Sequence, residues 1–197
     1  MKKILVTGFE PFHNSSSNPT KEIVKILEQK EIDGLITVVL PVEFQTCWRR
    51  LKDLIDKEKP ELVIALGQAE GRSQITPERI ANNLDDAKIP DNAGSQPRNR
   101  AIIEGGPDGL FSTLPIDEIV KLLNDENIPT AVSLSAGTYV CNHLFYSLQY
   151  HCKELGIKSG FIHVPLMESQ AEEFPGLPVM PLEIMVKGIQ KIIYLSK

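Results

Sequence analysis

The chain has 197 residues, 42% of them hydrophobic and 24% charged, with a formal net charge of −5. That length supports one sizeable core and leaves little room for a second, and the composition is that of a folded chain rather than a disordered one. The acidic balance, with basic clusters no longer than "MKK" and "WRR", argues against nucleic acid as a partner, because phosphate binding needs clustered Lys and Arg.

No apolar run approaches the roughly 20 residues that span a bilayer, so no membrane role is expected. The opening "MKKILVTGFEPF" places two lysines before apolar residues, as a leader would, but Gly8 and Glu10 break the run and it reads as a strand. Three cysteines, Cys47, Cys141 and Cys152, have no disulfide-scaffold spacing, which suits free thiols in a reducing cytoplasm. With no C-x-x-C and no H-E-x-x-H among the four histidines, no metal is expected, and no other cofactor is implied.

In chain order, short β-branched runs alternate with amphipathic stretches. "KKILVTG" predicts a first strand. "NPTKEIVKILEQKE" predicts a helix with Ile23, Ile26 and Leu27 on one face. "LITVVLP" is a second strand, and "EFQTCWRRLKDLIDKEKP" a helix carrying Trp48, Leu51, Leu54 and Ile55. "ELVIALG" is a third strand. From about residue 68 to 111 the sequence is rich in Asn, Asp, Gly and Pro, with only "SQITPERIANNL" strand-like, which predicts hairpins and loops over one end of a sheet. A helix in "LPIDEIVKLLNDENI", a fifth strand in "TAVSLSAG", a helix from about Val140 to Leu155, a strand in "SGFIHVP" and a last helix in "PLEIMVKGIQKIIYL" complete the chain. The alternation predicts an α/β fold. It is read as a single catalytic domain, residues 1–197, with helices on both faces of a mostly parallel twisted sheet.

Open parallel sheets bind ligands beyond the carboxyl ends of their strands. "GFEPF", "GQAEGR", "AGTYVCN" and the "HVP" of "FIHVP" all occupy such positions. An unpaired cysteine is most often inert packing. Cys141, however, follows a strand and an Ala-Gly-Thr turn and enters a helix in its first turn, where free N–H groups and the helix dipole favour a thiolate. His163 interrupts an otherwise apolar strand and would face the same crevice as a general base. His143 competes for that role, but residues i and i+2 of a helix point about 200° apart, so it is assigned a structural place. An acid should orient the imidazole. Glu78, Asp85, Asp86 and Asp91 are equally placed for this on the residues alone. Related thiol amidases of other small lactams or amides, and a non-catalytic small-ligand binder, fit the same residues.

The chain resembles the pyroglutamyl peptidases, cysteine peptidases that remove an N-terminal 5-oxoproline. The likeness lies in "TGFEPF" with "NPT" after it, in "GQAEGRSQITPERIANNLDDAKIPDNAGSQP", in "GPDGLFSTLPI" followed by "VSLSAGTYVCNHLFY", and in "GFIHVP". It implies a cytoplasmic, cofactor-free exopeptidase acting on peptides with N-terminal pyroglutamate, in which Cys141 is the nucleophile, His163 the base and Glu78 the orienting acid. It further implies that Phe9, Phe12, Tyr139 and Val140 wall the lactam pocket, that Gln68 and Asn18 hydrogen-bond the ring, and that Ile89 adds an apolar contact. Family members are commonly homo-oligomers, dimers or tetramers, for which "LPVMPLEIMV" offers apolar surface. Glu70, Lys88 and Tyr139 depart from the residues usual in the family, which are glycine, arginine and phenylalanine.

Overall fold

The β-branched runs become the sheet. A computed structural model describes residues 2–13 and 15–196. Strand β1 (Ile4–Phe9), helix α1 (Pro19–Gln29), β2 (Leu35–Leu40), α2 (Phe44–Glu58) and β3 (Leu62–Gln68) follow one another as two right-sized crossovers. Then come β4 (Thr76–Pro77), β5 (Ile80–Asn82), β6 (Gly109–Phe111), α3 (Ile116–Asp125), α4 (Val140–Leu155) and β7 (Lys158–Val164). The chain finishes with β8 (Leu166–Met167), a 3-10 turn (Glu168–Gln170), β9 (Val179–Met180) and α5 (Leu182–Ser196). The main sheet has the order β2-β1-β3-β7-β4, with β4 alone antiparallel.

The strand order reverses at β1. The chain steps outward from β1 to β2 and then returns across to β3 on the other side. At such a switch point the connections leave the strand tips in opposite directions and open a crevice.

Side-chain alternation sorts the two faces. Ile4, Val6, Ile64, Leu66, Ile162 and Val164 meet Ile23 and Leu27 of α1, Ile119 and Leu123 of α3, and Ile189 and Ile192 of α5. Leu5, Val63, Ala65 and Phe161 meet Cys47, Leu51 and Ile55 of α2 and Leu144, Phe145 and Leu148 of α4. Each fully buried Leu, Ile or Phe of these layers contributes about 1.5–3 kcal/mol of transfer free energy. His163, two residues beyond Phe161, therefore points to the face covered by α4. Cys47 and Cys152 are fully buried in that layer and are packing residues.

The expected fifth strand in "TAVSLSAG" is not a strand. The segment runs parallel to residues 75–79, but only as isolated bridges, Ile75 to Thr130 and Glu78 to Ser133. Ile75 N donates to Pro129 O, Ala131 N to Ile75 O, Ser133 N to Pro77 O and Arg79 N to Ser133 O. The bond missing from this alternating ladder is the one residue 77 would donate, and proline has no N–H. One imino acid thus cuts an edge strand in two.

The stretch "LPVMPLEIMV" also differs from expectation. Met180, Met185 and Val186 are buried in the chain's own core, and Leu177 is its one exposed apolar residue. Among the described residues, no helix is long and apolar enough to cross a membrane.

Candidate active site

Phe9 ends β1, Gln68 ends β3 and His163 lies one residue from the end of β7, so three neighbouring parallel strands deliver side chains to one rim. Across from them, α4 begins at Val140. Together they enclose a cavity of about 360 Å³, whose walls include Phe9, Phe12, Asn18, Gln68, Arg72, Tyr139, Val140, Cys141 and His163.

Cys141 is the second residue of α4, and the extended Tyr139 before the helix provides no side-chain cap. The first intrahelical bond recorded at this end is His143 N to Tyr139 O, 3.1 Å. The amides of the first turn, that of Cys141 among them, are therefore donors without helical partners. Residues on either side of Cys141 are pinned by the segment 82–86. Thr138 exchanges bonds with Asp86 through both its carbonyl and its hydroxyl. The Asn142 amide accepts from Asn82 N and donates to the carbonyls of Asn82 and Leu84, all at 2.9–3.0 Å. Asn142 is wholly buried, so these bonds are both its satisfaction and the anchor of the turn.

His163 Nδ1 bonds Glu78 Oε1 at 2.7 Å, with the carboxylate fully buried. That leaves Nε2 as the ring nitrogen free for chemistry. The ring is seated by Gly67, its partner across β3 and β7. A Cβ built on Gly67 would lie 2.9 Å from His163 Cδ2 and 2.7 Å from the Phe161 ring, so only glycine leaves the imidazole its place. Phe161 packs against it with centroids 4.9 Å apart.

The acids left open by the residues alone now separate. Asp85 is bonded to His143, Asp86 to Arg98, and Asp91 to the amides of Phe44, Ala93 and Ser95. Glu78 is the one that meets His163.

Burial tends to raise the Glu78 pKa, but the His163 hydrogen bond and the charges of His163 and Arg72 outweigh it and hold the carboxyl below its usual range. Burial lowers His163, with Glu78 pulling the other way and Arg72 reinforcing the decrease. The lowered thiol pKa expected from the helix start is not found. Loss of water and then the Glu78 charge push Cys141 up to about 12, with Arg72 opposing. Cys141 is half-buried, and the loss of water around the thiol opposes the helix dipole.

Most residues tied to the lactam pocket by resemblance do line the cavity, but not all are free to bind. Asn18 is the N-cap of α1, its Oδ1 accepting from Thr20 N and Oγ1 and its Nδ2 donating to Glu10 O. Gln68 Oε1 accepts from Gln170 Nε2 at 3.1 Å, and its Nε2 lies 3.5 Å from Glu70 Oε1. The Tyr139 hydroxyl donates to Pro90 O at 3.0 Å, and its ring packs edge-on to Phe44. Ile89 is half-buried on the loop before Pro90 and is not among the residues lining the cavity. Sequence reasoning missed Arg72, whose guanidinium reaches Glu78 Oε1 at 2.7 Å. It sits six residues from Glu78 along an extended chain, and no periodicity marks such a pair. No group of His, Cys, Asp and Glu able to hold a metal occurs among the described residues.

A thiol, an imidazole and a buried carboxylate, gathered at the carboxyl ends of a parallel sheet, define the class as a cysteine hydrolase on an α/β scaffold. The comparisons give the family. The model of the pyroglutamyl peptidase family matches residues 2–196. A pyrrolidone-carboxylate peptidase of Vibrio parahaemolyticus is 46% identical over 194 residues, covering 98% of this chain and 91% of the relative. One from Bacillus mycoides is 45% identical, covering 96% and 90%. The crystal structure of Bacillus amyloliquefaciens pyroglutamyl peptidase I superposes with a TM-score of 0.93 at 40% identity, covering 100% of this chain and 96% of that one. Pyrrolidone carboxyl peptidase from Thermococcus litoralis gives 0.94 at 42%, covering 100% and 93%. The chain belongs to the pyroglutamyl peptidase family.

Proposed function

We propose that this single-domain chain is a cytoplasmic exopeptidase that hydrolyses the amide bond after an N-terminal pyroglutamyl residue, with Cys141 as nucleophile, His163 as general base and Glu78 as the acid that orients it. One observation carries the assignment of roles: the 2.7 Å bond from His163 Nδ1 to buried Glu78 leaves the other imidazole nitrogen free on a residue that lines the same cavity as Cys141. Burial of the thiol opposes a free thiolate, and ionisation accompanies attack. His163 Nε2 takes the thiol proton as sulfur adds to the scissile carbonyl. The free amides at the start of α4 receive the developing oxyanion. The tetrahedral intermediate collapses as His163 returns the proton to the leaving amine, and water, activated by the same imidazole, hydrolyses the pyroglutamyl thioester.

The pocket suits the acyl group. A pyroglutamyl ring is small, flat and neutral, with one N–H donor and one C=O acceptor. The faces of Phe9, Phe12 and Tyr139 hold it, while main-chain groups and Gln68 Nε2, held only loosely at 3.5 Å from Glu70, read its edges. Proline lacks the ring carbonyl, so whatever pairs with that oxygen is left without a partner. We read the chain as a homo-oligomer, dimer or tetramer, with neither membrane nor nucleic acid as partner. The test is release of a fluorogenic amine from pyroglutamyl, prolyl and glutamyl amides. Hydrolysis of the pyroglutamyl amide alone, abolished in Cys141→Ala, is the expected outcome; activity surviving that substitution would overturn the assignment.

A further inference from the structure

Arg72 makes three polar contacts from one guanidinium. Nη1 donates to Glu78 Oε1 at 2.7 Å and to Thr76 Oγ1 at 2.5 Å, and Nη2 donates to Ser135 O at 3.1 Å. Its side chain is 29% exposed and lines the cavity that holds Cys141 and His163, whereas Glu78 is 0% exposed. Two consequences follow. First, a carboxylate this deep needs a charge partner, and a neutral imidazole is not one. The fixed cation keeps Glu78 ionised while His163 gains and loses its proton. Second, Ser135 begins the turn that runs through Gly137, with its left-handed φ of 77°, to Tyr139 and the first residues of α4. Arg72 thus joins the acid on one side of the crevice to the chain that delivers the nucleophile on the other.

We propose that Arg72 is a positioning residue of the hydrolytic site, a clamp that holds Glu78 and the Ser135 turn together and so sets the reach between His163 and Cys141. This rests on the roles proposed above for those three residues. A lysine preserves the charge but offers one compact centre in place of a planar fork, so it cannot hold Glu78 and Ser135 in different directions at once. The titratable groups around the clamp come from every wall: Glu78 and His163 on the β4 and β7 side, Glu70 after β3, and Tyr139 and Cys141 at the start of α4.

The experiment measures kcat, KM and the pH profile for a pyroglutamyl fluorogenic amide in wild type, Arg72→Lys, Arg72→Gln, Glu78→Gln and the Arg72→Gln/Glu78→Gln double variant, each checked for a cooperative thermal transition. Wild-type hydrolysis that is absent, or that survives in Cys141→Ala, would sink the underlying mechanism, whereas normal Cys141-dependent wild-type activity with unaffected Arg72 variants would sink this inference alone. Arg72→Gln should lower kcat about 100-fold with little change in KM, a loss typical of a disturbed acid–base apparatus. Its acid limb should move to higher pH, because the cation that depresses His163 is gone. Arg72→Lys should lose about tenfold in kcat with the limb nearly in place, so the claim survives if the Gln variant fails to fold. In the Glu78→Gln background, Arg72→Gln should cost little more, since it acts through that carboxylate. A rate loss confined to a reduced folded fraction, with an unmoved acid limb and additive losses in the double variant, would mean a purely structural arginine and would overturn the proposal.

Discussion

Among the described residues are two buried carboxylate–imidazole pairs of almost the same geometry. His163 Nδ1 meets Glu78 at 2.7 Å and His143 Nδ1 meets Asp85 at 2.8 Å, with all four side chains 5% exposed or less. Glu78 leaves Oε2 and Asp85 leaves Oδ1 without a hydrogen bond. What differs lies on the far side of each ring. His163 borders the cavity, while His143 Nε2 is sealed with no partner, edge-on to Phe44 at 5.6 Å. Glu78 has Arg72 bonded to it. A dyad is therefore not a site by itself. It needs an open second nitrogen and a compensating charge; without them the same bond is a tether, here fastening α4 to the segment 82–86.

The sharpest way to break this comparison is to delete each imidazole. His163→Ala should lose kcat by about a thousandfold or more, the scale of a lost general base. His143→Ala should keep kcat per folded molecule within about threefold but unfold more readily by about 3 kcal/mol in denaturant titration, because Asp85 is left buried and unpaired. The carboxylates should repeat the pattern with smaller losses. Glu78→Gln removes the orienting charge and should cost about 100-fold in kcat, whereas Asp85→Asn should register in the denaturation midpoint and hardly in kcat.

Gly67→Ala tests the seat of the active ring. The added methyl meets the imidazole and Phe161, and a displaced base should lower kcat about tenfold with KM little changed. The smallest effect concerns pH. His163 is depressed, so its neutral, proton-accepting form persists to lower pH than in free imidazole. The acid limb of kcat/KM should lie below the ordinary value of 6.5; a limb above it would contradict the burial argument.

Much of this was legible in the residues. Apolar alternation gave every main helix and four of the strands, because burial on one or both faces leaves a periodic trace. It also brought Cys141 and His163 to the same end of the sheet. The "TAVSLSAG" strand misled because its apolar character is that of an edge strand, while its ladder depends on a donor that Pro77, on another segment, does not have. The choice among Glu78, Asp85, Asp86 and Asp91 was not legible from the residues alone, and only the family resemblance pointed to Glu78. All four sit in one irregular stretch, and which carboxylate meets which imidazole depends on long-range packing between β7, α4 and that stretch. The influences opposing a thiolate were hidden for a related reason: the helix start is visible in sequence, but the burial around Cys141 and the nearby Glu78 charge are not.

The most direct test of the central claim is acid quenching of the enzyme during turnover of an activated pyroglutamyl ester, followed by peptide mass mapping. With a good leaving group, acylation outruns deacylation and the acyl-enzyme accumulates. One pyroglutamyl group on the peptide carrying Cys141, absent in Cys141→Ala, is the result predicted. Turnover with no adduct, or an adduct on Cys47, Cys152 or any other residue, would contradict it.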